Sequence, residues 1–392
     1  MSPALKKEYF EKIKERYKKA SKKEKHLILD EFCTVCGYER KYAIKKLSAK
    51  RKAEPNKNRP GPKPIYDEAI TTILKNLWLA TGQICSKRLK AAIPEWLPFY
   101  EKEYGKITPQ SRIKVLKITP STIDRKLRPA RVKFKKKGLC GTKPGSLLKT
   151  HIPIRTDNWD IDRPGFLEAD TVAHCGRSLI GDFAWSLTMT DIASHWTENR
   201  AVWNKGAAGI KEQIKDIEAC LFFIILGFDC DNGSEFLNWA LWEYFVKNRA
   251  NKPVQFTRSR EYKKNDNAHV EQKNWTHVRQ LFGYDRFDNP AVVDLMNDVY
   301  KNEWGQYQNF FLPTMKLQKK ERIRSQNKRH YEETPKTPYQ RLIESAHVAS
   351  EAKEKLRTAY QTLNPFMLKK AIEKKAKIIL NKATVSSVMS HS

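Results

Sequence analysis

From about residue 160 the apolar positions alternate with polar ones at a period of two, the spacing of strands with one covered face. "GFLEADTVAHC" (165–175), "GDFAWSLTMTDIAS" (181–194) and "HWTENRAVW" (195–203) read as three strands with a turn between each pair. The period then lengthens. A helix is predicted over 206–219, then an apolar strand over 221–228, a helix over 234–249, a short strand "VQFTR" over 254–258 and a helix from about 266 to 282. Three antiparallel strands feeding parallel crossovers predict a mixed five-stranded sheet with helices on its faces.

Before this block the period is helical. Residues 5–20 read as a charged helix, and 21–48 as two helices around "VCGY". Leu27, Leu29 and Phe32 are core candidates on the first, Tyr42, Ile44 and Leu47 on the second, with Gly37 in the joint. This is helix-turn-helix spacing, with Arg40, Lys41, Lys45 and Lys46 on the second helix; an ordinary helical hairpin fits the same pattern. Residues 49–65 read as a basic, proline-rich linker. Residues 66–131 read as a second helical module ending in "ITPSTIDRKLRPAR" (118–131), where Pro120 starts a helix that carries Arg125, Lys126 and Arg128. Residues 132–159 read as a second linker, 160–290 as the α/β core, and 291–392 as a basic, mainly helical extension. Trp185, Trp196, Trp203, Trp239 and Trp242 are expected in the core.

Charge sharpens this division. The formal net charge is +31, unevenly spread: 1–150 hold 39 Lys/Arg against 14 Asp/Glu, 151–308 hold 18 against 23, and 309–392 hold 18 against 7. Basic flanks suit a polyanion, with nucleic acid as the default, and an acidic centre suits clustered carboxylates. A lysine-rich codon bias would decorate the surface but does not explain that centre. The seven cysteines form no regular framework and read as reduced thiols of a cytoplasmic protein. Cys33-x-x-Cys36 supplies two ligands where a closed zinc site needs four. No apolar signal core opens the chain, and its longest apolar stretch is too short to span a bilayer.

Three acids stand out. Asp170 lies among apolar residues in the first strand, where an acid is costly unless paired or bound to metal. Asp231 follows the fourth strand in "GFDCDNGSEF", and Glu271 lies in the last helix, in "YKKNDNAHVEQKN". Each has an ordinary alternative: a salt bridge of Asp170 to Arg177, a turn role for Asp231, a solvated Glu271. Together, in this strand order, they suit two hard divalent ions, Mg²⁺ with Mn²⁺ as a substitute, in phosphodiester chemistry. Glu168 and Asp229 are rival ligands, each two residues before its neighbour. Asn274, Lys273 and Arg279, with Lys263 and Lys264, are candidate DNA contacts near the site.

The segments "RPGPKPIYDEA", "ICSKRLKAAIP", "STIDRKLRPAR", "GFLEADTVAHCG", "LTMTDIASHWTE", "LGFDCDNGSEF" and "YKKNDNAHVEQKN" together resemble a group of bacterial insertion-sequence transposases of the DDE transposase and retroviral-integrase superfamily. The resemblance runs from about 21 to about 345. It implies an RNase H-like core and the catalytic, metal-holding triad Asp170, Asp231 and Glu271. Thirty-nine residues separate the last two acids, which implies a longer loop before the final helix. It also implies cleavage at the terminal repeats of a mobile element, joining of the 3′-hydroxyl to target DNA, and a synaptic homo-multimer on the nucleoid. A catalytically silent DNA-binding derivative and a structure-specific nuclease of the same fold are the alternatives.

Overall fold

Ser21 and Glu24 form a reciprocal capping box at the start of α2 (Lys22–Cys36), and Gly37, at φ 68°, ends it. α1 (Pro3–Lys19) and α3 (Arg40–Ser48) complete a three-helix unit, Met1–Ile65. The computed structural model describes residues 3–48, 65–134, 162–230, 235–236, 238–249, 252–258, 268–323 and 326–389. The first unit's core is Ile13, Ile28, Leu29, Phe32, Cys36, Ala43 and Leu47. The expected phase of these helices needs correction. Leu27 is 70% exposed, and Tyr42 and Ile44 are exposed as well, because the small Ala43 and Leu47 form the packed seam of α3.

The second unit is Tyr66–Ser392. Its first helices are α4 (Glu68–Ala80), α5 (Ser86–Tyr104), α6 (Pro109–Lys117) and α7 (Pro120–Lys133). The sheet follows: β1 (Phe166–Ala173), β2 (Ala184–Asp191), β3 (Thr197–Trp203), α8 (Ala207–Cys220), β4 (Gly227–Cys230), α9 (Trp239–Phe245), β5 (Gln255–Arg258) and α10 (Ala268–Lys273). α10 runs on through a π-helical turn, Asn274–Arg279, into α11 (Gln280–Phe282). After it come α12 (Ala291–Val299), a second π-helical turn, Tyr300–Trp304, and α13 (Gly305–Phe311). A hairpin of β6 (Leu317–Ile323) and β7 (Gln326–Tyr331) precedes α14 (Pro338–Glu344), α15 (Ser350–Thr362) and α16 (Pro365–Met389). The C-terminal region is therefore mainly helical, but it contains a β-hairpin that periodicity did not predict. The helices of 66–131, expected as a module of their own, lie in this unit and share its larger core. Trp96 of α5 packs on Tyr307, Phe311 and Phe366 and donates from Nε1 to the Phe311 carbonyl at 2.9 Å.

The sheet has the order β3-β2-β1-β4-β5, with β1 antiparallel to β2 and parallel to β4. A mixed five-stranded sheet in this order is compatible with an RNase H-like core. Paired residues share a face, so register sorts the side chains. Leu167, Ala169, Leu187, Met189 and Phe228 face α8 and α9 and pack on Ile210, Ile214, Leu241 and Phe245. Glu168, Asp170, Ser186, Thr188, Thr190, Thr197, Asn199 and Asp229 share the other face.

That polar face is sealed by hydrogen bonds. Asn199 donates to Thr188 Oγ1 at 2.9 Å, Thr190 and Thr197 pair at 3.2 Å, and Ser186 links Tyr300 to His174. On the outer edge of β3, which pairs with no further strand, Asn297 exchanges two hydrogen bonds with the Ala201 backbone, and Asn309 does the same with Thr197. These amides stand in for a missing neighbouring strand and close the edge to unwanted pairing.

His174 is fully buried, stacked on Phe287 at 4.8 Å. Burial, with the Arg279 charge behind it, pushes its imidazole down to about 3. The unfolded chain takes up that proton near pH 6.5. Between the two values the unfolded state binds the extra proton, so stability falls as pH drops from about 6.5 towards 3. His174→Phe, which preserves the stack, is expected to flatten the stability–pH curve in that window. An unchanged slope in urea melts across these pH values would contradict a buried neutral imidazole.

Candidate active site

β1 is the middle strand, so residues on its polar face lie under whatever crosses the sheet. α10 crosses it. Glu168 Oε2 accepts the Val270 N–H at 3.0 Å, in the first turn of that helix. A buried carboxylate there satisfies one of the orphan donors of a helix start and meets the positive end of the helix dipole. Two residues along β1, Asp170 Oδ2 accepts from Asn274 Nδ2 at 2.6 Å, and its Oδ1 accepts from the Thr171 N–H at 2.7 Å. Asn274 opens the π-helical turn, and its Oδ1 is buried with no hydrogen-bond partner among the described residues. Glu271 is exposed, three residues before Asn274 and so on the same side of the helix.

The rival acids have other engagements. Glu168 starts the helix, and Asp229 Oδ1 accepts from Thr257 Oγ1 on β5 at 2.6 Å. Asp231 lies outside the described residues, as do Lys263 and Lys264. Asp229, two residues before Asp231, is in register with Glu168, two residues before Asp170. Among the described residues, no three or more His, Cys, Asp or Glu are gathered as a metal site.

Several expected DNA contacts are used inside the protein. Lys273 is only 6% exposed and donates to the His195 carbonyl at 3.3 Å. Burial, then the charges of Arg88 and Arg341, push its amine down to about 7. Arg279 donates to the Ala173 carbonyl at 2.9 Å and lies over the Tyr284 ring. In the first unit Arg40 pairs with Asp30, and Lys46 sits among the rings of Phe10, Tyr38 and Tyr42. Lys126 donates to the Tyr66 carbonyl. Arg40, in its surface ion pair, and Lys41 and Lys45 on α3, with Arg125 and Arg128 on α7, remain exposed.

The tryptophans divide too. Trp196 is buried and Trp185 and Trp203 are partly covered, but Trp239 is 77% exposed and Trp242 is exposed beside it. Glu235, which periodicity gave no reason to single out, is buried and holds Thr171 Oγ1 at 3.1 Å and Lys205 at 3.2 Å. Its position four residues after Asp231, in a polar run, was the only signal.

No family model matches the chain. The chain is 35% identical over 329 residues to "Uncharacterized protein y4rM" of Sinorhizobium fredii (strain NBRC 101917 / NGR234), across 82% of this chain and 91% of that one. It belongs to the family of that protein. Among solved structures, the HTLV-2 integrase catalytic core domain, in complex with magnesium and in a dimeric form, is similar over 38% of this chain and 90% of its own length, at 14% identity and a TM-score of 0.28. No described helix is long and apolar enough to cross a membrane.

Removing the Glu168 carboxylate strands a buried N–H. Glu168→Ala is expected to cost about 1–3 kcal/mol of stability, and Glu168→Gln, which keeps an acceptor oxygen, clearly less. Equal losses in urea melts would mean that the link to Val270 carries no weight.

Proposed function

We propose that the chain is a DNA transposase: a metal-dependent polynucleotidyl transferase that cuts at the ends of a mobile element and joins the exposed 3′-hydroxyl to target DNA. The observation that carries this reading is the hydrogen bond between Asp170 and Asn274. It ties an acid of the middle strand to the helix that bears Glu271, one turn away. Asp231, following Asp229 in the neighbouring parallel strand, supplies the third acid.

The donor set fits Mg²⁺. The three acids offer only hard oxygens, and the orphaned Asn274 Oδ1 is a buried acceptor beside Asp170. Asp170, Asp231 and Glu271 would hold the ions, with Mn²⁺ as a substitute; bound ions activate an attacking water or hydroxyl and stabilise the leaving oxygen. The protein's own share is orientation. Asn274 fixes the Asp170 carboxylate, and Glu168 anchors the start of the helix that presents Glu271. Lys41 and Lys45 in the first unit, and Arg125 and Arg128 in the second, supply exposed cations for reading and gripping the element ends, and Lys263 and Lys264, shortly before α10 in sequence, supply two more charges for DNA. Two ends must be joined together, which calls for a homo-multimer.

The test is a cleavage and strand-transfer assay with oligonucleotides from the DNA flanking the gene, in Mg²⁺ or Mn²⁺. Wild type should give joined products. Asp170→Asn, Asp231→Asn and Glu271→Gln should give none, and Asn274→Ala should lower the rate about 10- to 100-fold as a partner of a metal ligand. Cleavage without joining would indicate a nuclease. Tight end binding with neither product would indicate a DNA-binding derivative.

A further inference from the structure

Among the described residues, the β6–β7 hairpin forms a sheet with itself alone. Its two strands, "LQKKERI" and "QNKRHY", carry Lys319, Lys320, Arg322, Lys328 and Arg329 against the single acid Glu321. Their only large apolar residues, Leu317, Ile323 and Tyr331, stand at strand ends. A two-stranded hairpin is marginal in water without a covered face, and the apolar residues of this one are confined to its ends.

Register divides the charges. Lys319 pairs with His330 and Glu321 with Lys328 on one face; Lys320 pairs with Arg329 and Arg322 with Asn327 on the other. The first face is partly neutralised, since Lys319 at 2.5 Å and His330 at 3.2 Å both meet Glu321. The second holds three cations and no acid.

The root of the ribbon is firmly held. Arg341 is almost fully buried and donates to Thr314 Oγ1 at 2.6 Å, to the Thr314 carbonyl at 2.9 Å and to the Lys336 carbonyl at 2.9 Å, and it pairs with Glu332. The Glu332 carboxylate in turn accepts the Lys316 N–H at 3.0 Å. Thr314 Oγ1 also meets His195 Nδ1 at 3.1 Å, and the His195 carbonyl accepts Lys273 of α10. Two hydrogen bonds therefore join the root of a basic ribbon to the helix that carries Glu271 and Asn274.

We propose that the β6–β7 ribbon is a DNA-gripping arm that binds duplex phosphates next to the candidate site, an inference that rests on the reading of the chain as a DNA-joining enzyme. A ribbon whose second face carries three cations by register and no acid matches a phosphate backbone, and a two-stranded ribbon is the width the major groove admits. Its rigid root sets the gripped duplex relative to α10.

The experiment measures binding of a labelled random-sequence duplex to the full chain over a salt series. The variants are Lys320→Gln/Arg329→Gln, a pair on the second face, and, as a control, Lys355→Gln/Lys374→Gln, which removes equal charge from exposed helix positions. Loss of two phosphate contacts should make the log–log salt slope shallower by about 1.8 in the ribbon variant, with weaker binding at every salt concentration, and leave the control at the wild-type slope. Thermal melts establish that both variants fold. A folded ribbon variant with the wild-type slope overturns the proposal, and does so alone if the wild type still joins DNA ends. A change in oligomer size by sedimentation with the slope unchanged also overturns it, in favour of self-association. No salt-dependent binding by the wild type overturns both this proposal and the transposase reading.

Discussion

Two acids, Glu168 and Asp170, stand two residues apart on the same face of the middle strand, and that face cannot be covered by an ordinary apolar helix. Each buried polar atom needs a partner or it costs free energy. The second unit answers with a helix that brings one: the Val270 N–H for Glu168 and the Asn274 amide for Asp170. The serine, threonines and asparagine beside them on β2 and β3 bond to one another and to Tyr300. The opposite face follows the usual rule, with Ile210, Ile214 and Phe245 packed on Leu167 and Phe228. The sheet is thus apolar on the side packed against α8 and α9 and polar on the side crossed by α10.

The sheet was legible because alternation along 165–203 and the long apolar run before 228 leave few other arrangements. β4 itself lies later than expected, at Gly227–Cys230, so Asp229 belongs to the strand. Asp170 was legible as an acid among apolar residues, whereas Glu271 was singled out by strand order and by resemblance. The engagements of Glu168 and Asp229 were not legible, because a helix N–H and a distant threonine supply them, and neither is adjacent in sequence. Lys273 misled for the same reason: its partner, the His195 carbonyl, is 78 residues away. Trp239 and Trp242 misled because size and hydrophobicity alone do not bury an aromatic at the start of a short helix. The ribbon escaped notice because "KKER" and "NKRH" have no apolar alternation to read.

Charge follows the same logic at a larger scale. Many of the basic residues are interior fasteners, as Arg341 is at the ribbon root and Arg200 is between Glu198 and Asp216. Others stay exposed, among them Lys41 and Lys45 on α3, Arg125 and Arg128 on α7, and Lys328 and Arg329 on the ribbon.

Crystals of the full chain soaked in Mn²⁺, with anomalous diffraction used to locate the ion, probe the centre of this picture directly. A peak at coordination distance from the Asp170 carboxylate, absent from Asp170→Asn crystals, is the expected result. A well-ordered site with no peak at Asp170, or a peak that survives the substitution, would contradict the assignment of these acids to a metal centre.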